Sequence, residues 1–163
     1  MGLTPMRGKQ SGFSLIELLI VVAIILVMAA IAVPNYLRSR MVANQSSAAQ
    51  SMRTINTAIV SYSTTFPQVG FPPSLADLGG ASPCTATSTN ACLLDEVLSA
   101  GTKAGYTFIF TGDGQTPSVT YFVTATPVTL GVSGVFMYCT DQTGVIRYTT
   151  TGTGCTTASP PIQ

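Results

Sequence analysis

GFSLIELLIVVAIILVMAAIAVP, residues 12–34, is the stretch on which the reading of the fold turns. From Phe13 to Val33 every residue except Ser14 and Glu17 is apolar. At about 1.5 Å per residue that run makes a helix roughly 31 Å long. The hydrocarbon core of a bilayer is ~30 Å thick. Glu17 is the anomaly. An acidic side chain deep in lipid costs about 2.5–3.5 kcal/mol and so calls for a partner or a function.

A secretory signal peptide accounts for part of this stretch, because Arg7 and Lys9 make a basic start and Ala30-Ile31-Ala32 offers a small-x-small cut site. The apolar run is long for such a peptide, however, and an acid interrupts its N-terminal end. A cut between Gly12 and Phe13 explains the acid. Phe13 then becomes a new N-terminus, with its amine one helical turn from Glu17, a spacing at which two groups share a face. The amine and the positive end of the helix dipole both favour an ionised Glu17. Amine and carboxylate can pair within one chain or between two chains packed side by side.

A short basic leader, then Gly12-Phe13-Ser14-Leu15-Ile16-Glu17, then an unbroken apolar helix, resembles the class III signal of type IV pilins and type II secretion pseudopilins. The resemblance implies that a prepilin peptidase cuts after Gly12 and that Phe13 is N-methylated. It also implies that Glu17 recruits and registers neighbouring subunits. Pro34, followed by Asn35-Tyr36, stands where that family's first helix has a proline and then an aromatic. The match is specific over the N-terminal third of the chain and architectural beyond it. It implies a single-pass precursor in the bacterial inner membrane, N-terminus cytoplasmic, that is later built into an extracellular pilus.

Residues 1–12 read as a leader whose glycines and Pro5 oppose stable structure. Its positive charges hold it on the cytoplasmic side, with Arg38 and Arg40 a mild opposing influence. Residues 13–33 read as the transmembrane and filament-core helix, and 34–62 as its amphipathic continuation. Pro34 removes a backbone donor and weakens the turn before it. In the continuation Met41, Ala48, Ile55 and Tyr62 recur every seven residues, with Met52 and Ile59 beside them and Gln45 as the polar member. This is one narrow apolar stripe. Asn44, Ser47, Ser51, Arg53 and Thr54 are assigned to the face that meets water or other subunits.

Residues 63–163 read as a globular head. Its first part, 63–105, is turn-rich, with at most a helical turn at 74–78 and a short helix at 93–100 closed by Gly101. The family resemblance implies a variable loop there. Strands are expected at 106–110, 119–125, 135–140 and 145–149, each rich in β-branched and aromatic residues. Turns at 111–114 and 141–144 make an antiparallel meander over 106–149 the natural topology. One face of that sheet covers the helix stripe. The tail, 150–163, is Thr, Ser, Gly and Pro, with little reason to order beyond Cys155. The expected fold is α+β and pilin-like: a long N-terminal helix packed on a small antiparallel sheet of about four strands.

Cys84, Cys92, Cys139 and Cys155 all follow the apolar run, and four cysteines permit three pairings. Nearness in sequence favours Cys84–Cys92 and Cys139–Cys155. A closure the length of the second is worth roughly 3 kcal/mol in the chain-entropy model. That second pair resembles the disulfide-bounded C-terminal segment of many pilins. A metal reading is disfavoured by the lack of histidine and of any Cys-x-x-Cys pair.

Composition narrows the function. Charged residues are 8% of the chain, against about 25% in an ordinary domain. Cutting after Gly12 removes Arg7 and Lys9 and leaves five basic and six acidic side chains. A nearly neutral surface does not repel its own copies, which suits a polymer subunit. It also lacks the clustered Lys and Arg that nucleic acid demands. Without histidine there is no His-dependent triad. Asp113 in Gly-Asp-Gly lacks the further oxygen ligands of a calcium loop. Asn44-Gln45-Ser46 fits a glycosylation triplet but sits on a helix.

No enzyme, cofactor or metal site is expected. The expected function is a structural subunit of a type IV pilus, polymerised through its N-terminal helix. Its expected partners are copies of itself, prepilin peptidase, inner-membrane assembly machinery and, before assembly, membrane lipid. Two other readings stand beside it. One is a type II secretion pseudopilin forming a short periplasmic filament, and the other is a membrane-anchored monomeric binding domain.

Overall fold

A computed structural model describes residues 12–152 and 154–162, so the expected leader lies, apart from Gly12, outside the described residues. The chain divides into two compact units, residues 1–37 and 38–163. Helix α1, Leu15–Thr65, contributes to both. After it come a 3-10 turn at Ala76–Leu78, helix α2 at Glu96–Ser99 and five strands: β1 Thr102–Lys103, β2 Tyr106–Gly112, β3 Tyr121–Pro127, β4 Met137–Asp141 and β5 Arg147–Thr149. The strands form one antiparallel sheet in the order β1-β2-β3-β4-β5. The fold is α+β and pilin-like, with five strands among the described residues instead of four.

In the 38–163 unit the α1 stripe is the floor of the core. Ala48, Met52, Ile55, Ile59 and Tyr62 are buried, as their spacing predicts, and Gln45 is buried with them. Ser51, expected on the wet face, is buried too. The stripe is therefore wider than a strict seven-residue repeat suggests, because a helix packed on a sheet buries a broader arc than a coiled-coil seam. The sheet supplies the other wall through alternate residues: Tyr106 and Phe108 on β2, Tyr121, Val123 and Ala125 on β3, and Tyr138 on β4. Register puts Phe108 opposite Ala125, and Ala125 opposite Tyr138, so these side chains share one face. A polar tie crosses the layer, where Asn56 Nδ2 donates to Thr140 Oγ1 at 3.1 Å and to the Gly144 carbonyl at 2.9 Å.

Boundaries moved where side chains claimed backbone groups. The third strand starts at Tyr121 and not at 119, because the N–H groups of Val119 and Thr120 donate to Asp113 Oδ2 at 2.9 and 3.0 Å. Helix α2 does not include 93–95. The N–H groups of Leu93 and Leu94 both go to the Leu78 carbonyl, and Asp95 caps the helix by accepting from the Leu98 N–H at 2.6 Å. Strand β1 went unanticipated because its hairpin turn is Ala104-Gly105, both at positive φ. Alanine is not a residue from which such a turn is read.

The tail departs most from expectation. Tyr148 N–H donates to the Pro160 carbonyl at 3.0 Å, and Ile162 N–H to the Ile146 carbonyl at 2.9 Å. Arg147 Nη1 reaches the Ser159 carbonyl at 2.9 Å, and Ile162 packs against the core. The segment 159–162 thus covers the free edge of β5, which would otherwise present unpaired backbone groups.

Burial pushes the Tyr121 phenol up to about 12, with the nearby Asp141 carboxylate adding to the effect, and raises Tyr106 and Tyr138 likewise. The folded pKa values lie above the unfolded value near 10. Their stabilisation is therefore complete below pH 10 and is lost as pH rises from there through about 12. Thermal melting measured from pH 8 to 11.5 should fall only above pH 10. A flat profile across that window would contradict the burial of these phenols.

Candidate functional site

The residues expected to direct processing and assembly gather at the start of α1. Gly12, Phe13 and Ser14 precede the helix. The Leu18 N–H donates to the Ser14 carbonyl at 3.2 Å, the first bond of α1, so Ser14 is the N-cap. Glu17 turns back, and its Oε2 accepts the Ser14 backbone N–H at 3.0 Å. That is the glutamate half of a capping box, and it satisfies a donor that would otherwise be left unpaired. The Ser-x-x-Glu spacing ahead of an apolar run is the sequence signal for it. A reading from charge alone passes over Ser14.

Among the described residues nothing approaches within 4 Å of where a Gly12 Cβ would stand, and Phe13 is 81% exposed. None of the described residues covers the Gly12–Phe13 bond. After Glu17, α1 carries no charged residue until Arg38. Its large apolar side chains in this stretch are all exposed, and an 18-residue window reaches a mean hydropathy of 3.1. By length and composition α1 suffices to cross a membrane.

Pro34 lies about 25 Å further along the helix, so it is not part of the same locus as Glu17. The helix runs on through it. Because proline has no N–H, the Ala30 carbonyl loses its helical donor. At the adjacent position Asn35 Nδ2 donates to the Ile31 carbonyl at 3.2 Å, adding a side-chain bond where the ladder is weakened.

The four cysteines lie in the 38–163 unit. They form the disulfides Cys84–Cys92 and Cys139–Cys155, and no free cysteine remains. The first lies at the surface and closes a loop that contains Ser88, whose carbonyl accepts the Tyr62 hydroxyl at 2.6 Å. The second is buried. Cys139 alternates with the core-facing Tyr138 and Thr140, so its bridge holds the tail against the outer face of the sheet.

The acids have local structural work. Asp113 is held well below the usual carboxylate range, first by the Gln115 N–H at 3.0 Å and then by the Val119 N–H. Its oxygens organise the β2–β3 loop. Asp95 is lowered by Lys103, whose Nζ sits 2.7 Å away. Among the described residues no group of three or more His, Cys, Asp or Glu side chains is placed to hold a metal ion.

Residues 7–33 match the model of the prokaryotic N-terminal methylation motif. The chain is also 38% identical over 80 residues to the type IV major pilin protein PilA of Myxococcus xanthus (strain DK1622). Its N-terminal segment thus carries the methylation motif and is similar to that pilin. The alignment with the Myxococcus pilin covers 45% of this chain and 36% of that protein, so the chain spans about a third of its relative's length. No solved structure matches the chain. The family motif ends at Val33, just before the helical proline. The head that follows is defined by its own core and disulfides.

Proposed function

We propose that this chain is the structural subunit of a type IV pilus, cut after Gly12, N-methylated at Phe13 and polymerised through α1. One observation carries the reading: a solvent-exposed, charge-free helical run that begins after a capping glutamate, inside a methylation motif. A monomer has no use for so much uncovered aliphatic surface outside a membrane. A bundle of such helices covers it. The similarity to a major pilin supports a pilus over a secretion pseudopilus, as does a head with little charge and two disulfides. Copies of the chain, a prepilin peptidase and inner-membrane assembly machinery are its proposed partners. Its proposed course runs from the inner membrane, N-terminus inside, to an extracellular filament.

The mature subunit should begin at methylated Phe13 and run to Gln163. Mass spectrometry of the subunit from sheared surface filaments measures this directly. A start at Val33 would restore the simple signal peptide and end the pilin reading.

Pro34 is assigned a part in assembly. The turn at 28–33 is helical in the single chain yet lacks the bond that residue 34 would donate to Ala30. In the filament that turn should kink or extend while the helix on either side persists. A reconstruction with regular helical bonds throughout 28–33 would remove this role.

A further inference from the structure

In the 38–163 unit, the loop between β3 and β4 reads Val128-Thr-Leu130-Gly-Val132-Ser133-Gly134. It holds three aliphatic side chains in solvent: Val128 is 64% exposed, Leu130 54% and Val132 67%. Single exposed aliphatics are ordinary. Three on one short loop need a reason.

The loop is firmly braced. Val128 N–H donates to the Gly105 carbonyl at 2.9 Å, and Gly131 N–H to the Gly134 carbonyl at 2.8 Å. The N–H groups of Val132 and Ser133 both donate to the Thr129 carbonyl, at 3.1 and 2.9 Å, while Thr129 N–H donates to Ser133 Oγ at 3.0 Å. Asn44 Nδ2 on α1 donates to the Ser133 carbonyl at 3.1 Å. A Cβ on Gly134 would strike the Tyr106 hydroxyl, so a glycine is needed there for the loop to sit this close. A surface ordered in advance loses little freedom on binding, which is what a contact site requires.

The contact with Asn44 places the loop beside α1, two residues past Val42, itself 53% exposed. Within the 38–163 unit, exposed aliphatic side chains are therefore found on α1 at Val42 and on the loop beside Asn44. The occupant that fits is as charge-free as the loop. Between Glu17 and Arg38 the helix carries no charged residue, and neither does 128–134. A membrane surface fits less well, since side chains that seat at a bilayer interface are Trp, Tyr, Lys and Arg, and the loop has none.

We propose that the 128–134 loop docks on the apolar helix run 18–37 of a second copy of this chain. The inference rests on the filament reading and assigns the head a helix-binding contact in it.

A photo-crosslinking amino acid placed at Val132 of the full chain, in a host with assembly machinery, tests it. Illumination of filaments should give adducts of two chains, mapped by mass spectrometry from 132 to 18–37. Filaments that form but give no such adduct, or adducts to lipid in the membrane fraction, overturn the inference and leave the pilus reading standing. Absence of filaments from the unaltered chain overturns both. Val132→Asp adds an unpaired charge to the contact, which is costly when buried. It should cut filament yield by about tenfold or more, with unchanged melting, disulfides and processing, whereas Val132→Ile keeps the yield. Normal yield with Val132→Asp likewise overturns the contact.

Discussion

Glu17→Val is expected to leave membrane insertion and cleavage after Gly12 intact and to abolish normal filaments. Removing an acid from an apolar helix favours the bilayer, so the subunit should accumulate, cut, in the membrane. In the proposed filament core the helices pack together and water is excluded. There an unpaired carboxylate is expensive, and so is the unpaired amine of an incoming Phe13. Breaking one partner of a buried pair typically costs about 3–5 kcal/mol. That is roughly two to three and a half orders of magnitude at each addition step.

The capping bond sharpens this experiment. In the intact chain Glu17 already has a local partner, the Ser14 N–H at 3.0 Å. Glu17→Gln keeps an acceptor for that bond, since glutamine serves in a capping box, but carries no charge. If capping were the whole role of Glu17, Glu17→Gln would assemble at the normal yield and Glu17→Val would not. If the charge matters, both fail. Immunoblots report insertion and cleavage, and the yield of sheared filaments reports assembly. Normal assembly of Glu17→Val would leave Glu17 with neither role.

Replacing Cys139 and Cys155 together by serine is expected to cost about 3 kcal/mol of stability, the chain-entropy value for a closure of this length. Melting of the full chain in detergent should drop by roughly 10 °C. The disulfide is buried against the outer sheet face and anchors the segment that runs on to cover β5. Without it, the bonds from Tyr148 to Pro160, from Ile162 to Ile146 and from Arg147 to Ser159 must hold the tail. When they release, Ile162 leaves the core and the β5 edge opens to pairing with other chains. The variant should therefore also aggregate on heating. A change in melting of only a degree or two would show that the edge pairing, not the bridge, secures the tail.

Some of this molecule was legible because it depends on neighbours along the chain. Helix α1 declares itself through its apolar run, and the stripe from Ala48 to Tyr62 through its period. The sheet order was legible because turns such as Asp141–Gly144 are short, and short turns leave adjacent antiparallel strands as the simple solution. Both disulfides followed from nearness in sequence. The Ser14 cap was there to be read in the spacing to Glu17.

The rest was set by contacts between residues far apart in the chain. Ser51 is buried because a sheet, and not a second helix, covers the α1 stripe. The third strand begins at Tyr121 because Asp113, eight positions earlier, takes the N–H groups that pairing would have used. Leu93 and Leu94 are held out of helix α2 by the carbonyl of Leu78. The tail is ordered because β5 has a free edge that residues 159–162 can fill, an opportunity with no trace in a run of Thr, Ser, Gly and Pro. The sequence by itself determined the membrane-length helix, its capping glutamate and the antiparallel meander, since periodicity, capping and short turns act over a few residues. Only the tertiary structure decided where strands begin, which polar groups are buried and what covers the last strand, since each backbone donor can be claimed by an acceptor that folding brings to it.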